Sequence, residues 1–391
     1  MREFIEGSAA VARTIRMCKP GLISAYPITP QTHIGENLVQ YIADGEMECE
    51  FVNSESEHSS ASIILGASAV GVRAYNSTSS QGLLLMAEVL YSIAGMRLPL
   101  VLTCANRAVS SPINIWNDQQ DSVTLRDSGW IQFYGETNQE VCDLHIQAYR
   151  IAEDRNVSLP VMVCMDGYTL THAVEVIDIP EQEQVDRFLP PFKPLHVLDP
   201  KDPVSMGVLY DPASYTETRY AIHETMREVL EMIPKVSAEF KEIFGRESGG
   251  LIQEYKTKDA DKVIVAMGSV VSTVKEAVDE MRDEGEKVGA LKVITHRPLP
   301  SQALYNSLKH IPQIAVLDKS ISLGAAGPLC MDIRSVFQGK DASPKISGFV
   351  AGLGGRDITK DTVREIFDRL SGDQVSDQFI GLDVEQVINA T

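Results

Sequence analysis

The stretch GLISAYPITPQ, residues 21–31, is an apolar run that ends in two prolines placed around a single Ile-Thr pair. Continuous apolar runs are typical of strands in parallel sheets, because helices cover both faces of such sheets. Pro27 and Pro30 restrict the backbone where the predicted strand ends, so that Thr29 presents its hydroxyl group at a fixed place. Taken alone, the pattern is equally that of a proline-stiffened turn.

Similar apolar runs recur along the first 178 residues, with helical periodicity between them. Strands are predicted at 21–26, 73–77, 98–104 and 160–165, and helices near 8–18, 34–42, 55–68, 80–96 and 137–152. Strands that alternate with helices indicate an α/β fold with a parallel sheet. Residues 1–178 are therefore expected to form the first domain.

The rest of the chain is predicted to contain a connector and a smaller domain. Seven prolines between positions 180 and 212 indicate an extended connector, and a helix follows at 215–244, which Pro234 is expected to end or kink. We assign 179–258 to this proline-rich connector and helix. Residues 259–391 show a second α/β pattern, beginning with KVIVAMGS at 262–269. This pattern predicts a smaller domain on its own parallel sheet.

Composition excludes several classes of partner. The 391 residues carry a formal charge of −19 and no Lys/Arg cluster, which argues against nucleic-acid and anionic-membrane binding. No apolar run is long enough to span a bilayer, and the amino terminus lacks the apolar core of a secretory signal. Six scattered cysteines without a C-x-x-C motif predict that this chain holds no metal or iron–sulfur site. A reducing, cytoplasmic location is expected.

Three predicted strand ends carry polar side chains: YPITP, NSTSSQG at 76–82 and TCANRA at 103–108. Ligands bind beyond the carboxyl ends of parallel strands, so these three segments could converge on one pocket. Arg107, in the last of them, could clamp a carboxylate with two hydrogen bonds, although a surface ion pair is the commoner role of an arginine.

Glu57 lies in VNSESEHSS at 52–60 and has two interpretations. Ser54-x-x-Glu57 fits a capping box, in which both side chains bond the first turn of a helix. Alternatively, Glu57 is a buried carboxyl group that faces a cleft and shares a proton with a ring nitrogen. Spacing alone leaves both interpretations open.

The polar stretch at 114–140 contains both tryptophans and has little periodicity. Long polar loops inside compact domains are usually functional or disordered, and two tryptophans argue against disorder. We expect an active-site lid or a subunit contact here. The chain lacks G-x-x-x-x-G-K-[ST] and G-x-G-x-x-G, which disfavours an NAD enzyme, and it lacks the G-x-S-x-G and H-E-x-x-H motifs of hydrolases and zincins.

Together these motifs resemble the α subunit of the 2-oxoacid:ferredoxin oxidoreductases, most closely the enzymes that act on pyruvate. The resemblance rests on AYPITPQT, SESEHSSASIILGASAVGVRAYNSTSSQGLLLM, ANRAV…NIWNDQQDS…RDSGW and DGYTLTH, in that order from residue 25 to 172. KVIVAMGS…HRPLPSQAL extends it over nearly the whole chain. It implies a pyrimidine-type thiamine-diphosphate-binding domain followed by a smaller domain similar to the carboxyl-terminal domain of transketolase.

The resemblance also implies roles for individual residues. Glu57 matches the glutamate that bonds N1′ of the aminopyrimidine ring, Thr29 the threonine beside the substrate carboxylate, and Arg107 the arginine that clamps the substrate. The adjoining residues match the strand end that contacts cofactor and substrate: Tyr26, Pro27 and Ile28. Catalytic roles are thus expected for Glu57, Arg107 and Thr29, and no metal ligand is expected in this chain.

The implied enzyme converts pyruvate and coenzyme A to acetyl-CoA, CO₂ and reduced ferredoxin, reversibly. Thiamine diphosphate is shared with a partner subunit, because the family's G-D-G…N-N motif for diphosphate and Mg²⁺ is missing here. Mg²⁺ and the [4Fe-4S] clusters are accordingly expected on β-, γ- and δ-type subunits. Two alternatives remain: the same chemistry on a branched-chain or aryl 2-oxoacid, and a non-catalytic scaffold subunit.

Overall fold

The computed structural model describes residues 2–390 and divides into two units. The first unit ends at Leu251 and also includes Ile294–Pro300, and the second comprises Ile252–Val293 and the residues from Ser301 onward. The predicted boundaries at 178 and 258 differ from this division, for a reason given below.

The first unit alternates strands and helices over most of its length. Its elements are β1 (Arg2–Glu6), α1 (Gly7–Cys18), β2 (Leu22–Ala25), α2 (Thr32–Ala43), β3 (Glu50–Asn53), α3 (Glu57–Ala69), β4 (Ala74–Thr78), α4 (Ser80–Leu85), α5 (Ala87–Gly95), β5 (Val101–Asn106), α6 (Gln120–Thr124), β6 (Ile131–Tyr134), α7 (Asn138–Ala152), β7 (Val161–Asp166), β8 (Val174–Asp178), α8 (Gln182–Phe188) and α9 (Tyr215–Phe244).

The second unit has a similar alternation on a smaller scale. Its elements are β9 (Ile252–Tyr255), β10 (Lys262–Ala266), α10 (Val270–Asp283), β11 (Val288–Val293), α11 (Ser301–Leu308), β13 (Gln313–Asp318), α12 (Pro328–Phe337), β14 (Lys345–Val350), a short 3₁₀ turn (Leu353–Gly355), α13 (Lys360–Arg369), β15 (Gln378–Phe379) and α14 (Val384–Ala390). Strand β12 (Thr295–Arg297) belongs to the first unit.

The first unit is built on a seven-stranded sheet in the order β12-β6-β7-β5-β4-β2-β3. All neighbouring strands are parallel except β12, which is antiparallel to β6. Every residue of β4, β5 and β7 is buried, as expected when helices cover both faces of a parallel sheet. Strands β1 and β8 form a separate antiparallel ribbon.

Helix α9 belongs to the core of the first unit. Its buried side chains pack in the same cluster as α1, α7 and α8, and Phe188 of α8 meets Phe240 and Phe244 with ring centroids 5.6 Å away. Burial of this aromatic group explains why the helix is part of the first unit and not of an independent connector. The predicted helix at 215–244 is confirmed and does not end at Pro234, and a kink at this proline stays a prediction.

The second unit has a six-stranded sheet in the order β15-β14-β13-β10-β11-β9, parallel except for the edge strand β9. Helix α10 carries the predicted apolar face, because Val270, Val271, Val274, Ala277, Val278 and Met281 are all buried. The predicted α/β class with a parallel sheet in each region is confirmed. Among the described residues, no helix is both long and apolar enough to cross a membrane.

Candidate active site

The predicted strand ends lie side by side in the first sheet. Strand β2 is flanked by β3 and β4, and β4 by β5, so that their carboxyl ends adjoin one another. Ala25 is paired with Asn53 and Thr78 with Cys104, which keeps these ends at a common edge. From β2 the chain first forms β3 on one side of β2, and it then returns to form β4 on the other side. Such a reversal of strand order opens a crevice where ligands bind.

Glu57 is the first residue of α3 and is a buried residue, with 6% of its surface exposed. The helix is capped by Ser56, whose side chain accepts a hydrogen bond from Ser59 N at 3.2 Å. The capping-box interpretation of Ser54 and Glu57 is therefore wrong, because another serine performs that function. No described residue donates a hydrogen bond to the Glu57 carboxylate or forms an ion pair with it. A carboxylate on a buried residue that has no protein partner is available to a ligand that reaches it.

Gly82 of α4 leaves space for the Glu57 carboxyl group. A Cβ atom at Gly82 would lie 2.5 Å from Glu57 Oε1 and 2.6 Å from Thr78 Oγ1, so that any larger residue would displace one of them. Thr78 Oγ1 is buried and also lacks a partner. This corner of the sheet edge thus combines the Glu57 carboxylate, which has no partner among the described residues, with a buried hydroxyl group. The residues fit the aminopyrimidine ring of thiamine diphosphate.

Arg107 connects the ends of β2 and β5. Its Nη1 donates to the main-chain oxygen of Thr29 at 2.8 Å, and its Nε donates to Asn114 O at 3.1 Å. A longer contact of 3.5 Å joins Nη2 to Gln81 Oε1. Partial burial lowers the pKa of Arg107, while the charge of Asp121 opposes this shift. The guanidinium group is held at the sheet edge beside Thr29, where it can bind an anion.

Asp121 organises the loops that carry these residues, and sequence reasoning did not single it out. Its Oδ2 accepts hydrogen bonds from Ser80 N at 2.9 Å and Arg107 N at 3.0 Å, and its Oδ1 accepts from Asn106 Nδ2 at 2.7 Å and Ser122 N at 2.8 Å. Burial raises the pKa of the Asp121 carboxyl group, and these donors lower it. Because all four partners donate, the ionised form satisfies them best. The only signal in the sequence was its place in the polar stretch at 114–140.

The other predicted contact residues lie on the same loop as Thr29. Tyr26 is 37% exposed, Pro27 and Thr29 are exposed, and Ile28 is half-buried. Two contacts hold this loop against the sheet. Gln31 Nε2 donates to Ser77 Oγ, and Pro30 packs so closely on Gly167 that a Cβ atom there would lie 2.7 Å from Pro30 Cγ. The structure thus brings the Thr29 loop next to Arg107, and Gln81 and Gly82 join Arg107 to Glu57.

The stretch at 114–140 contains regular secondary structure and a buried tryptophan. It contains α6 and β6, and Trp130 is fully buried with its Nε1 donating to Leu90 O at 2.9 Å. Trp116, near the start of the stretch, and Ile113, just before it, are exposed. The stretch is therefore not one continuous loop, and its role as an active-site lid or a subunit contact stays a prediction.

Comparisons with known proteins match the two regions of the chain separately. Residues 14–238 match the family model described as pyruvate flavodoxin/ferredoxin oxidoreductase, thiamine diphosphate-binding, and residues 260–363 match pyruvate:ferredoxin oxidoreductase core domain II. The chain belongs to the pyruvate:ferredoxin oxidoreductase family. The pyruvate synthase subunit PorA of Methanothermobacter thermautotrophicus is 48% identical over 97% of this chain and 98% of that protein.

Other relatives cover the chain to a similar extent. PorA of Thermotoga maritima is 42% identical over 97% of this chain and 98% of its own length, and the ketoisovalerate oxidoreductase subunit VorA of Pyrococcus horikoshii is 42% identical over 94% and 93%. The solved 2-oxoglutarate:ferredoxin oxidoreductase of Magnetococcus marinus superposes with a TM-score of 0.72, at 19% identity, over 94% of this chain and 65% of that chain. A split-gene transketolase superposes with a TM-score of 0.54, at 13% identity, over 92% and 93%.

These findings confirm the family and the fold expected from the sequence. The chain is an α-type subunit of a thiamine-diphosphate-dependent 2-oxoacid:ferredoxin oxidoreductase, and it acts as one subunit of a larger enzyme. The superpositions at less than 25% identity support the fold alone. The roles of Glu57, Arg107, Thr29, Tyr26, Pro27 and Ile28 stay predictions.

Proposed function

We propose that this chain supplies the pyrimidine-binding half of the active site of a pyruvate synthase. The enzyme would convert pyruvate and coenzyme A to acetyl-CoA, CO₂ and reduced ferredoxin, in a reversible reaction. The observation that carries the proposal is Glu57, a buried residue whose carboxylate has no partner among the described residues and occupies the space beside Gly82. The relatives named as pyruvate synthase subunits, at 42–48% identity, support pyruvate as the substrate.

Each residue of the site has a defined task in this proposal. Thiamine diphosphate, when bound, supplies the electron sink that decarboxylation of a 2-oxoacid requires. The Glu57 carboxyl group bonds N1′ of the aminopyrimidine ring and exchanges a proton with it. Arg107 and Thr29 hold the substrate carboxylate, the arginine by charge and paired hydrogen bonds and the threonine by its hydroxyl group. Tyr26, Pro27 and Ile28 form the wall against cofactor and substrate.

Other cofactors are assigned to partner subunits. Among the described residues, all six cysteines are free and apart from any metal-type cluster, and burial raises the pKa of the Cys18 and Cys142 thiols to about 12. A [4Fe-4S] cluster needs several thiolates close together, and the described cysteines form no such group. We therefore assign the clusters and the catalytic Mg²⁺ to β-, γ- and δ-type subunits, with ferredoxin as electron acceptor, in the cytoplasm.

Reconstitution tests this assignment. The chain is co-expressed with the subunits encoded beside it, and ferredoxin reduction is measured with pyruvate and coenzyme A. We expect activity that requires both this chain and thiamine diphosphate. An assembled complex that contains no thiamine diphosphate, or that reduces ferredoxin equally well without this chain, would overturn the proposal.

A branched-chain 2-oxoacid is the second candidate substrate, because a ketoisovalerate oxidoreductase subunit is also 42% identical. The two candidates differ in the length and branching of the group that the pocket must accept. Comparison of kcat/KM for pyruvate, 2-oxoisovalerate, an aryl 2-oxoacid and 2-oxoglutarate decides between them. We expect pyruvate to have the highest value, and a higher value for 2-oxoisovalerate would assign the chain to the branched-chain enzymes.

A further inference from the structure

Three metal-ligating side chains that have no role in the proposed catalytic site lie close to one another. Glu6 ends β1, His33 lies in the first turn of α2, and His172 precedes β8. One carboxylate oxygen and one ring nitrogen from each histidine lie within 4.8 Å of one another. This is the only such group of three among the residues that the structure describes. All three residues belong to the first unit.

The backbone around this group is rigidly connected. Gly7 N donates to Ala173 O at 3.0 Å and Ser8 N donates to Thr171 O at 3.0 Å, so that the residues following Glu6 are bonded on both sides of His172. The β1–β8 ribbon continues this pairing, with Glu6 opposite Val174. Glu6 and His172 are therefore held at a fixed separation by main-chain hydrogen bonds and do not depend on side-chain packing for their approach.

His172 also has the supporting contact that metal-binding histidines usually have. Its Nδ1 lies 2.8 Å from Thr171 Oγ1, and this hydroxyl oxygen is itself fixed by a hydrogen bond from Tyr168 N at 2.8 Å. In the tautomer in which Nδ1–H donates to this oxygen, Nε2 is available to a metal ion. The Tyr168 ring stacks on His172 with centroids 4.6 Å apart, which fixes the plane of the imidazole.

His33 completes the group from a different element. Its ring centroid lies 5.0 Å from that of His172, and its Nδ1 lies 2.9 Å from Glu6 Oε1. The side chains of His33 and Glu6 are 45% and 28% exposed, so an ion could enter from solvent. Zinc bonds of about 2.0–2.1 Å place ligand atoms about 3.3 Å apart, and rotations that move side-chain atoms by about 1 Å would close the group.

We propose that Glu6, His33 and His172 bind a divalent transition-metal ion of the zinc type. Two imidazoles and one carboxylate suit zinc, whereas Mg²⁺ and Ca²⁺ prefer oxygen ligands throughout. With three protein ligands, water occupies the fourth position. The ion joins the β1–β8 ribbon to the start of α2, immediately after the Thr29–Gln31 loop, and its role is to stabilise this part of the first unit.

The test measures zinc binding by the full-length chain. After removal of metals with a chelator, the chain is dialysed against chelator-buffered Zn²⁺, and bound metal is measured by atomic spectroscopy. We expect one tightly bound zinc ion, a melting temperature several degrees higher with zinc than without it, and visible absorption characteristic of three nitrogen and oxygen ligands when Co²⁺ replaces zinc.

Variants identify the ligands. His172→Ala and Glu6→Gln should each lower zinc affinity at least tenfold and abolish the rise in melting temperature, whereas His223→Ala, at an exposed position on α9, should retain both. Melting curves without metal check that each variant is folded. Absence of zinc from the parent chain, or equal zinc affinity in all four proteins, would overturn the proposal. Neither result depends on the catalytic assignment.

Discussion

Glu57 and Asp318 are both buried carboxylates next to the first turn of a helix, one in each unit, yet their surroundings differ. Asp318 ends β13, is 2% exposed, and accepts hydrogen bonds from Leu329 N at 2.8 Å and Cys330 N at 3.1 Å in the first turn of α12. Glu57 is 6% exposed and has no hydrogen-bond or ion-pair partner among the described residues. The hydrogen bonds to Asp318 are those of a structural carboxylate. The lack of such bonds at Glu57 agrees with the proposal that Glu57 binds a ligand.

The same contrast extends to the surrounding side chains. Several buried polar atoms at the edge of the first sheet have no hydrogen-bond partner: Gln31 Oε1, Thr78 Oγ1, Ser79 Oγ, Gln81 Nε2 and Asn106 Oδ1. Among the described side chains of the second unit, Arg334 Nε is the only such atom. Natural proteins satisfy nearly all buried polar groups, so a local concentration of unsatisfied ones indicates a binding site. The comparison supports the proposal that a ligand binds at this edge of the first sheet.

Substitution of Glu57 should have the largest effect. In the assembled complex, Glu57→Gln removes the group that exchanges a proton with the cofactor ring, and we expect kcat to fall about 10²- to 10⁴-fold. The melting temperature of the variant should stay equal or rise, because a buried charge without a partner is lost. Glu55→Gln, at an exposed position two residues earlier, is the matched control and should retain full activity. Normal turnover by Glu57→Gln would remove Glu57 from the mechanism.

Arg107→Lys should have the next largest effect, which is a weaker binding of the 2-oxoacid substrate. Lysine retains the charge but cannot form paired hydrogen bonds with a carboxylate, so we expect KM for pyruvate to rise about 10- to 100-fold. KM for coenzyme A serves as the internal control and should change little. A proportional rise in both constants would indicate a general distortion of the subunit and would contradict a specific contact with the 2-oxoacid.

Asp318→Ala should affect stability and leave the chemistry intact. The substitution leaves the amides of Leu329 and Cys330 without their acceptor, at a cost of about 1–3 kcal/mol to the unfolding of the second unit. Urea unfolding of the full chain measures this loss, with Asp341→Ala, at an exposed position, as the control. Loss of kcat at conditions where the variant is fully folded would contradict the distinction drawn between the two carboxylates.

His145 provides a smaller test, because it is a buried titratable group of the first unit that is fully partnered. Nδ1–H donates to Val141 O at 2.7 Å, Nε2 lies 2.6 Å from Thr103 Oγ1, and burial lowers the pKa of His145 to about 4. At a pH below the ordinary pKa of histidine, His145 is protonated in the unfolded chain but not in the folded chain. The free energy of unfolding therefore falls as the pH falls from about 6.5 to about 4.

Between pH 6 and pH 5 this one group should cost about 1 kcal/mol of unfolding free energy. His145→Gln cannot be protonated in this range, so its stability should depend less on pH by that amount. Urea unfolding at the two pH values measures the difference. An identical pH dependence in both proteins would show that His145 is protonated in the folded chain.

Much of the fold was predictable because the central strands are continuous apolar runs. The predicted strands at 73–77 and 160–165 correspond to β4 and β7 with a shift of one residue at each end. The strands β3 and β6 were missed, since EFVN and IQFY are only four residues long and lie among polar residues. Helix α9 was separated from its unit because a sequence does not reveal which distant aromatic residues its apolar face will meet.

The candidate site was predictable in part for a similar reason. Thr29 and Arg107 follow apolar runs directly, so parallel-sheet geometry alone brings them to one edge. Glu57 could not be distinguished from a helix cap, because only the structure shows that Ser56 performs the capping. Asp121 acts through main-chain amides of Ser80 and Arg107, which are distant in sequence, and no local pattern indicates such contacts.

The contact between Glu57 and the cofactor can be measured directly by determining the structure of the assembled complex with thiamine diphosphate bound. The account predicts a Glu57 carboxylate oxygen within hydrogen-bonding distance, about 2.6–3.0 Å, of N1′ of the aminopyrimidine ring. A ring nitrogen bonded to a different residue, with the Glu57 carboxylate turned toward protein donors, would contradict it.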